Sequence, residues 1–556
     1  MNNEKKLSPV EKIKTSSDGL RGTLKESLQD EFTGSLREDD QSLIKFHGLY
    51  QQDDRDKREE RSAKKMEWLY SFMIRLRLPG GFLTPEQWIG LHHVAGEHST
   101  GVIKITTRQT VQLHGIVKSH IKPTIQAFNT LKLDSIAACG DVNRNVLCSP
   151  NPKQSTLHEE IYAYADEISK LLLPKTRSYY DIWLDEEKLA SRSEEDPLYQ
   201  DRYLPRKFKI AIAIPPNNDV DIFANDIGLI AIIQDEKLIG FNIAVGGGLS
   251  ATHGNPATYA RAASLIGFSG DKEALFKVVY EIVTIQRDYG NRSDRKLARL
   301  KYTIDNMGLD AFKNELNNRI GYSLEEPKPF VFTERKDYYG WEQCDKGLWH
   351  YTLFVENGRV LDDEQLALKS ALLEVAKTGK ANFRFTGNQN VILTDVHADD
   401  KNEIDGVLQK FNIISHTENA SGLRKNSMAC VALPTCPLAL AEAQRYLPSL
   451  IDKIEPLLEK HQLEQEEIIT RMTGCPNGCG RSAISEIGFI GTASGRYNLQ
   501  LGGDYEGYRL NKTYKENLDE DQLLQALDEV FLEFKSERNY GEKFGDFSQR
   551  KFFLNN

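Results

Sequence analysis

Long apolar runs are missing from this sequence. No uninterrupted hydrophobic stretch approaches the length that crosses a bilayer, which argues against a membrane-spanning protein. The N-terminus, MNNEKKLSPVEKIKTSSDG, is polar and lacks the apolar segment of a secretory signal. We therefore expect a cytoplasmic protein with no membrane partner.

An excess of positive charge is also missing. The chain has 71 Lys and Arg residues against 81 Asp and Glu residues, for a formal net charge of −10. Proteins that grip nucleic acid over a broad face are usually basic. We therefore expect no nucleic-acid partner, and any anion site must be a local concentration of cations.

Cysteine is scarce, with seven residues in a chain of 556. In a cytoplasmic protein of this size, that number argues against a disulfide framework. Four of the seven fall between Cys430 and Cys479. We expect the other three, Cys139, Cys148 and Cys344, to be buried as small hydrophobic residues.

The length of the chain and an internal repeat predict its organisation. With 556 residues, 40% of them hydrophobic, the chain should fold into three or four globular domains. GFNIAVGG (240–247) aligns with RYNLQLGG (496–503), and TRQTVQL (107–113) aligns with GNQNVIL (387–393). Two shorter matches occur in the same order. The sequence therefore predicts a duplication, in which each half has a smaller front piece and a larger back piece.

Each front piece has the pattern strand, helix, strand. In the first, FMIRLRLPGG (72–81) predicts a strand, TPEQWIGLHHVAGEH (84–98) a helix, and VIKITTRQTVQLHGI (102–116) a single strand. Interleaved strands and helices favour an α+β or α/β architecture. The charged stretch 51–65, which precedes the first copy, is interpreted as a solvated helix face.

Basic side chains share one face of three predicted strands in the first half. Because side chains alternate along a strand, Lys207 and Lys209 point the same way, and only Ala211 and Ala213 follow them on that face. The small residues should leave room for a bulky anion. On any one strand, the basic residues could simply lie on a solvent-exposed face. Three together favour a cationic pocket, whose other members are Arg75 and Arg77, Arg108 with Gln112, and Arg144 outside the strands.

The clustered cysteines form two pairs, Cys430-x5-Cys436 and Cys475-x3-Cys479, on loops rich in Gly and Pro. Zinc sites favour shorter spacings than the first pair has. The Cys-x-x-Cys of thioredoxin-type pairs and the Cys-x-x-Cys-His of c-type haem are both absent. Four thiolates on two such loops favour an iron–sulfur cluster, with a zinc site as the alternative. The segment 438–461 predicts a helix that would bring the two loops together.

Two motifs carry a family resemblance. SMACVALPTCPLALAEAQRYLPS (427–449) and TRMTGCPNGCGRSAISEIGFIGTASGRYNLQLGG (470–503) resemble the cluster motifs of the sulfite and nitrite reductase hemoproteins. The resemblance runs along the whole chain, through FHGLYQQDDRD, NRNVLC, YLPRKFK, FNIAVGGGLS and GNRSDRK. Within that family, the sequence resembles the hemoprotein subunits of NADPH-dependent assimilatory sulfite reductases.

The resemblance implies a duplicated α+β fold around a central cofactor, with ferredoxin-like front pieces. Applied to the repeat, it predicts five segments. These are an N-terminal extension (1–64), a first ferredoxin-like half (65–137), a first α/β repeat on the substrate side (138–334), a second ferredoxin-like half (335–418) and a second α/β repeat carrying the cluster (419–556).

The resemblance also implies two cofactors, siroheme and a [4Fe–4S] cluster. Cys430, Cys436, Cys475 and Cys479 would hold the cluster, and Cys479 would also be the axial ligand of the siroheme iron. Arg75, Arg144, Lys207 and Lys209 would bind substrate. The expected siroheme contacts are Arg77, Arg108, Gln112, Arg206, Arg295, Lys296, Arg299 and Asn477.

The implied activity is the six-electron reduction of sulfite to sulfide, in assimilatory sulfate reduction and cysteine biosynthesis. Electrons must come from outside, since no Gly-x-Gly-x-x-Gly opens a βαβ unit. The resemblance implies an FAD- and FMN-containing flavoprotein partner that takes them from NADPH, in a hetero-oligomer, and the N-terminal extension is a candidate docking element. The alternatives are a nitrite reductase of the same fold and, in another class, a zinc-stabilised binding protein without enzymatic activity.

Overall fold

The computed structural model describes residues 7–150, 155–185 and 196–554. The first six residues of the predicted N-terminal extension lie outside this description. Within the described residues, the strands form four five-stranded sheets, two for each half of the chain. No helix in the described part is both long enough and apolar enough to cross a membrane.

The strands follow one another in the same order in both halves. They are β1 (Leu49–Asp53), β2 (Tyr70–Arg75), β3 (Phe82–Leu83), β4 (Ile103–Ile105), β5 (Val111–Ile116), β6 (Leu147–Cys148), β7 (Ile210–Ala213), β8 (Ile227–Gln234), β9 (Lys237–Val245), β10 (Ser264–Ser269), β11 (Gly340–Gln343), β12 (Trp349–Leu353), β13 (Arg359–Val360), β14 (Asn382–Phe385), β15 (Val391–Val396), β16 (Ser427–Ala429), β17 (Thr470–Thr473), β18 (Ile487–Ala493), β19 (Arg496–Leu501) and β20 (Lys512–Leu518).

Helices lie between and after these strands. They are α1 (Pro9–Thr15), α2 (Leu24–Gln29), α3 (Glu38–Leu43), α4 (Arg58–Ala63), α5 (Pro85–His98), α6 (Ile121–Thr130), α7 (Ser155–Leu171), α8 (Ser178–Trp183), α9 (Lys272–Tyr289), α10 (Leu300–Met307), α11 (Leu309–Ile320), α12 (Leu368–Thr378), α13 (Lys401–Lys410), α14 (Ile413–Asn419), α15 (Gly422–Lys425), α16 (Leu447–Lys460), α17 (Glu520–Glu537) and α18 (Phe544–Gln549).

The two front sheets exchange a strand. The first has the order β1-β2-β5-β4-β13 and the second β11-β12-β15-β14-β3, so each sheet ends in a short strand from the other half. The indole of Trp88 on α5 also stacks on Phe383 of β14, with ring centroids 4.6 Å apart. Because each half completes the sheet of the other, the halves form one packed unit. Strand β1 pairs with β2 although it precedes the boundary predicted at residue 65.

The two back sheets repeat one topology. Their orders are β6-β7-β8-β9-β10 and β16-β17-β18-β19-β20, with three parallel strands followed by antiparallel ones. The aligned motifs GFNIAVGG and RYNLQLGG lie on β9 and β19, at the same place in each sheet. The predicted duplication and the α+β class are therefore confirmed.

Local sequence explains where several helices begin. Helix α5 opens at Thr84, whose hydroxyl accepts from the Gln87 amide while the Gln87 side chain accepts from the Thr84 amide. Asp519 and Gln522 form the same reciprocal cap on α17. The helix predicted over 84–98 is thus confirmed, whereas that predicted over 438–461 begins nine residues later, at Leu447.

Two expectations about strands were wrong. The stretch 102–116 is a hairpin of β4 and β5 rather than one strand, because Gln109 adopts a left-handed conformation in a turn closed between Thr106 and Thr110. Ala211 and Ala213 leave no open space above their sheet, because Val220 and Phe223 pack in a buried cluster with them. The sequence between β4 and β5 has no glycine or proline that would have indicated the turn of the hairpin.

A buried carboxylate joins the two halves. Asp221 accepts a hydrogen bond from Arg335 at 2.6 Å, forms an ion pair with Arg481 at 2.9 Å, and also binds Arg471. Although burial opposes the change, these arginines lower the pKa of Asp221 well below its usual value. Arg471 on β17 occupies the position that Ala211 has on β7. Basic residues of the second back sheet therefore neutralise a carboxylate of the first half.

Candidate active site

A cavity of about 430 Å³ lies between the first half and the cysteine loops of the second. Strands of the first front sheet form one wall and residues around 140–144 and 206–207 another. Two kinds of chemistry meet in it. Its basic lining residues are Lys45, Arg75, Lys104, Arg144, Arg206, Lys207 and Arg295, and its thiols are Cys430, Cys436, Cys475 and Cys479.

The carboxylate on this lining belongs to Asp141, which is already neutralised. Its oxygens accept from Arg295 at 2.6 and 2.8 Å, and the Lys14 ammonium lies 3.6 Å away. Although burial opposes the change, these cations lower the pKa of Asp141. Within the described residues, none of the other basic lining side chains has a carboxylate partner in an ion pair. The cavity therefore has a strong excess of positive charge and is suited to an anionic ligand.

A smaller pocket adjoins the cavity. Lys207, Asn477 and Cys479 line both spaces, while Lys209, Arg108 and Arg299 line the smaller one. Burial lowers the pKa of Lys207 to about 7, against an opposing effect of Cys479. Burial and the adjacent Lys207 and Arg108 lower the pKa of Lys209 further below its usual value. Burial therefore favours the neutral forms of Lys207 and Lys209, and an anion bound in this pocket would favour their protonated forms.

Arg75 is held in place by a chain of hydrogen bonds. Its Nε and Nη2 donate to Gln112 Oε1 at 3.2 and 2.7 Å. Gln112 Nε2 lies 2.9 Å from His114 Nε2, and His114 Nδ1 lies 2.9 Å from Gln52 Oε1. Since the amide nitrogen of Gln112 donates, His114 accepts at Nε2 and donates from Nδ1. Burial lowers the pKa of His114 to about 3, which keeps this neutral tautomer in place.

Replacing Gln112 with leucine should weaken substrate binding through Arg75. The change removes the acceptor of two guanidinium hydrogen bonds, and hydrogen bonds to charged groups contribute ~1.5–3 kcal/mol. We expect the KM for the substrate anion to rise roughly tenfold or more, with a smaller change in kcat. Steady-state kinetics measures this. Equal losses in the Gln112→Leu and Gln112→Glu variants would contradict the account, because glutamate retains an acceptor for Arg75.

Arg144 is a buried residue on the loop before β6. Its Nε donates to the Gly140 carbonyl oxygen at 2.8 Å. Against the effect of burial, the neighbouring Tyr50 and Cys139 raise the pKa of Arg144. The guanidinium is therefore a permanent charge at the cavity wall.

The four cysteines lie in two loops that follow β16 and β17. Each is a free thiol, and Cys479 is the exposed member. Burial and proximity to Cys479 raise the pKa of Cys430 to about 12 and that of Cys436 to about 11. The Gly474 amide donates to Cys430 Sγ at 3.4 Å, and Asn477 Nδ2 donates to Cys475 Sγ at 3.4 Å. Donors already aimed at sulfur are typical of the surroundings of a cluster thiolate.

A glycine permits the close approach of the two cysteine loops. A Cβ on Gly474 would lie 2.5 Å from the Ala432 side chain and 2.6 Å from the Ala441 carbonyl oxygen. The loop carrying Cys475 can therefore approach the loop carrying Cys430 and Cys436 only with glycine at this position. The shape of the thiol-lined wall is thus determined by the sequence between the two pairs.

The residues present fit an iron–sulfur cluster and an anionic macrocycle. The four thiols line one cavity, in two pairs on loops that approach each other. The unmatched cations, together with a buried Arg108 Nε that has no hydrogen-bond partner, suit the carboxylates of siroheme.

The structure brings most of the predicted residues together. Beyond the residues already placed, Arg108 donates to Asn225 Oδ1 at 2.9 Å, and Arg299 pairs with Asp226 at 2.7 Å. Burial also lowers the pKa of Arg108 to about 9. Both guanidinium groups therefore already use some of their N–H groups in hydrogen bonds within the protein.

Two predicted residues lie elsewhere. Arg77 follows the end of β2 and pairs with Asp134 at 2.6 Å, so it lines neither space. Lys296 is exposed and also lines neither space. For both residues the structure gives no support to a role in cofactor binding.

Sequence reasoning missed the contribution of the N-terminal region. Lys45, Tyr50 and Gln52 line the cavity, and Tyr50 and Gln52 alternate along β1. The motif FHGLYQQDDRD contains all but the first of these, and its alternation was a usable signal. Lys104 was missed as well, because it needs its neighbours in three dimensions to be noticed.

Two protein-family models match parts of this chain. The model of the nitrite and sulphite reductase 4Fe-4S domain matches residues 164–324, in the first back piece. The model of the nitrite/sulfite reductase ferredoxin-like half domain matches residues 69–131 and 342–411, one stretch in each front piece.

Curated relatives match over nearly their full length. A protein of Leptospira biflexa named sulfite reductase [NADPH] hemoprotein beta-component is 64% identical, over 98% of each chain. Proteins of the same name from Staphylococcus haemolyticus and Bacillus licheniformis are each 52% identical, over 98% and 97% of this chain and 95% of theirs. Among solved structures, the NirA protein of Mycobacterium tuberculosis has a TM-score of 0.79 at 25% identity, over 98% of this chain and 96% of that one.

Proposed function

Because the chain belongs to the nitrite and sulfite reductase family, we propose that it is the hemoprotein component of an NADPH-dependent sulfite reductase. It catalyses the six-electron reduction of sulfite to sulfide. The observation that best supports this function is the position of Cys479. This residue lines both the cavity that contains the four thiols and the smaller pocket that contains Lys207 and Lys209, called the lysine pocket below.

The cofactors of this function are siroheme and a [4Fe–4S] cluster. Cys430, Cys436, Cys475 and Cys479 would hold the cluster, with Cys479 shared with the siroheme iron. When bound, the pair supplies single electrons and a metal site for the sulfur of the substrate, while the protein supplies placement and electrostatics. Arg108, Arg206, Arg295 and Arg299 are the proposed partners of the siroheme carboxylates.

Four basic residues are the proposed substrate ligands: Arg75, Arg144, Lys207 and Lys209. Each would donate charge-assisted hydrogen bonds to a sulfite oxygen. The arginines stay charged at any working pH and supply fixed positive charge. Their hydrogen bonds to Gln112 and to the Gly140 carbonyl leave other guanidinium N–H groups free to donate to the substrate.

Protons are needed because each oxygen of sulfite leaves as water. Lys207, whose pKa is near 7, can hold a proton at Nζ and release it at neutral pH, as a general acid must. Lys209 lies in the same pocket and would be protonated by the approach of the anion. We therefore infer that the two lysines combine anion binding with proton delivery.

The lowered pKa of Lys207 predicts a pH dependence. Below about pH 7 the ammonium is charged and attracts an anion, and above it the neutral amine does not. For the protein without its cofactors, affinity for sulfate should therefore fall as pH rises from 6 to 9, by up to roughly 10²-fold, which is the fall in the charged fraction of a group with a pKa of about 7. Isothermal titration calorimetry measures this. The Lys207→Arg variant should keep its affinity at pH 9, and an equal decline in both proteins would contradict the assignment.

The electron donor would be a flavoprotein that takes electrons from NADPH. The names of the relatives, each a beta-component of an NADPH-dependent enzyme, support a separate donor subunit. We propose that the two assemble as a hetero-oligomer in the cytoplasm.

Sulfide production from sulfite tests the proposed function. The holoprotein is supplied with a reduced dye as electron donor, and sulfide is measured together with dye oxidation. Six electrons consumed per sulfide are expected, with a kcat/KM for sulfite above that for nitrite. A higher kcat/KM for nitrite would make the chain a nitrite reductase, and no turnover of either anion would overturn the proposal.

A further inference from the structure

Lys104 is a buried basic residue of the cavity lining that has no part in the proposed binding of substrate or siroheme. It is 3% exposed, in the centre of the short strand β4. Its cross-strand neighbours are Gln112 on β5 and Arg359 on β13, and Gln112 in turn pairs with Arg75 on β2. Directly opposed residues have side chains on the same face of a sheet. The four residues therefore form a row across the first front sheet, on the side of the cavity.

The charge on Lys104 lacks an anion. Its Nζ donates to the Asn357 carbonyl oxygen, which comes from the other half of the chain. Within the described residues, no carboxylate forms an ion pair with it. Burial lowers its pKa to about 7, with Cys430 raising it and Arg359 lowering it further. A buried ammonium without an anion is unfavourable, so the fold should supply one when the site is complete.

Lys104 is also connected to the loop that carries Cys430. Asn357 Nδ2 donates to the Gln444 carbonyl oxygen at 3.3 Å, and the Gln444 amide donates to the Cys430 carbonyl oxygen at 3.1 Å. This chain of hydrogen bonds, which runs through the Asn357 side chain, links the Lys104 ammonium to the loop that carries Cys430.

The equivalent position in the second half has a different environment. Arg384 on β14 pairs with Ile392 and Phe82, as Lys104 pairs with Gln112 and Arg359. Its guanidinium lies over the Tyr162 ring, 5.0 Å from the centroid. The same fold position thus carries a cation packed on an aromatic ring in one half, and a cation facing thiols in the other.

We propose that Lys104 is the charge partner of the iron–sulfur cluster, placed beside Cys430 to stabilise its reduced form. This inference rests on the proposed function, since it requires a cluster on the four cysteines. Reduction adds a negative charge to the cluster, and a cation fixed nearby in a medium of low dielectric makes that state more favourable. In this role Lys104 places a positive charge near the cluster and does not touch the substrate.

The midpoint potential of the cluster in the holoprotein tests this proposal. It is measured by a redox titration followed by electron paramagnetic resonance, in the parent and in the Lys104→Met, Lys104→Arg and Lys118→Met variants. In Lys104→Met, the reduction equilibrium should become less favourable by about tenfold, which is a fall of ~59 mV for one electron. Lys104→Arg should remain near the parent. Lys118→Met is the matched control, because Lys118 also donates to main-chain carbonyls but has only carboxylates as charged neighbours.

The outcomes separate this proposal from the proposed function. A Lys104→Met protein with full iron and sulfide content and an unchanged potential would overturn the role of Lys104 and leave the enzyme assignment intact. If Lys104→Met does not assemble the cluster, Lys104→Arg decides: an assembled cluster near the parental potential supports the proposal, and one with a clearly lower potential refutes it. A parent protein without any cluster would overturn the proposed function itself.

Discussion

Replacing Cys479 with serine should lower sulfite reduction by at least about 10³-fold, or ~4 kcal/mol in the activation barrier. Cys479 is the thiol that lines both the cavity and the lysine pocket, and it is the exposed cysteine of the four. A serine hydroxyl is a much poorer ligand for iron, because it stays protonated where a thiol ionises. If Cys479 holds the cluster and also ligates the siroheme iron, as proposed, the change should impair the binding of both cofactors.

The measurement combines activity with absorption spectroscopy of the purified variant. Cys344→Ser is the matched control, since Cys344 is buried but lines neither space, and its activity should stay close to the parent. A Cys479→Ser enzyme with parental activity and an unchanged spectrum would refute the shared-ligand assignment. Loss of activity in both variants would point instead to a general sensitivity of the fold to cysteine replacement.

Replacing Lys207 with methionine should lower kcat/KM for sulfite by roughly 10²–10³-fold, the range for removal of a donor that stabilises charge in a preorganised site. The substitution removes both an anion ligand and a proton donor from the pocket beside Cys479. Methionine keeps the length and volume of the side chain, so the packing should persist. The effect should therefore fall on kcat as well as on KM.

The control for this variant is Lys296→Met, which removes an exposed lysine that lines neither space. It should retain parental kinetics, although the sequence alone had predicted that Lys296 contacts siroheme. Absorption spectra establish that both variants carry their cofactors. Equal losses in the two variants would mean that net charge, and not the position of Lys207, governs activity.

The sequence predicts the duplication well because the repeated motifs lie at matching places in matching sheets. Glycine, hydrophobic alternation and the spacing of turn residues are local features, and they survive in both copies. The strand exchange between the front sheets was not foreseeable, because β3 and β13 have two residues each and carry no periodic signal.

The sequence predicts a site residue correctly when the chemical type of its side chain is enough to indicate its role. Cysteines and arginines in a shared motif are recognisable, and the structure brings the four cysteines and the proposed substrate residues to two adjoining spaces. Arg77 lines neither space, because β2 ends at Arg75 and the alternation of side chains no longer applies beyond it. Lys104 could not be predicted because its role depends on a partner more than a hundred residues away. The tautomer of His114 could not be predicted because it depends on hydrogen bonds to Gln112 and Gln52.

The most direct test of the central claim is the absorption spectrum of the purified protein with a low-potential reductant, before and after sulfite is added. The protein should be produced in cells able to make siroheme, and iron, zinc and acid-labile sulfide should be measured on the same sample. We predict haem and cluster bands that change when sulfite is added, with iron and sulfide present. A colourless protein that contains zinc and no labile sulfide would contradict the claim and favour a zinc-stabilised binding protein.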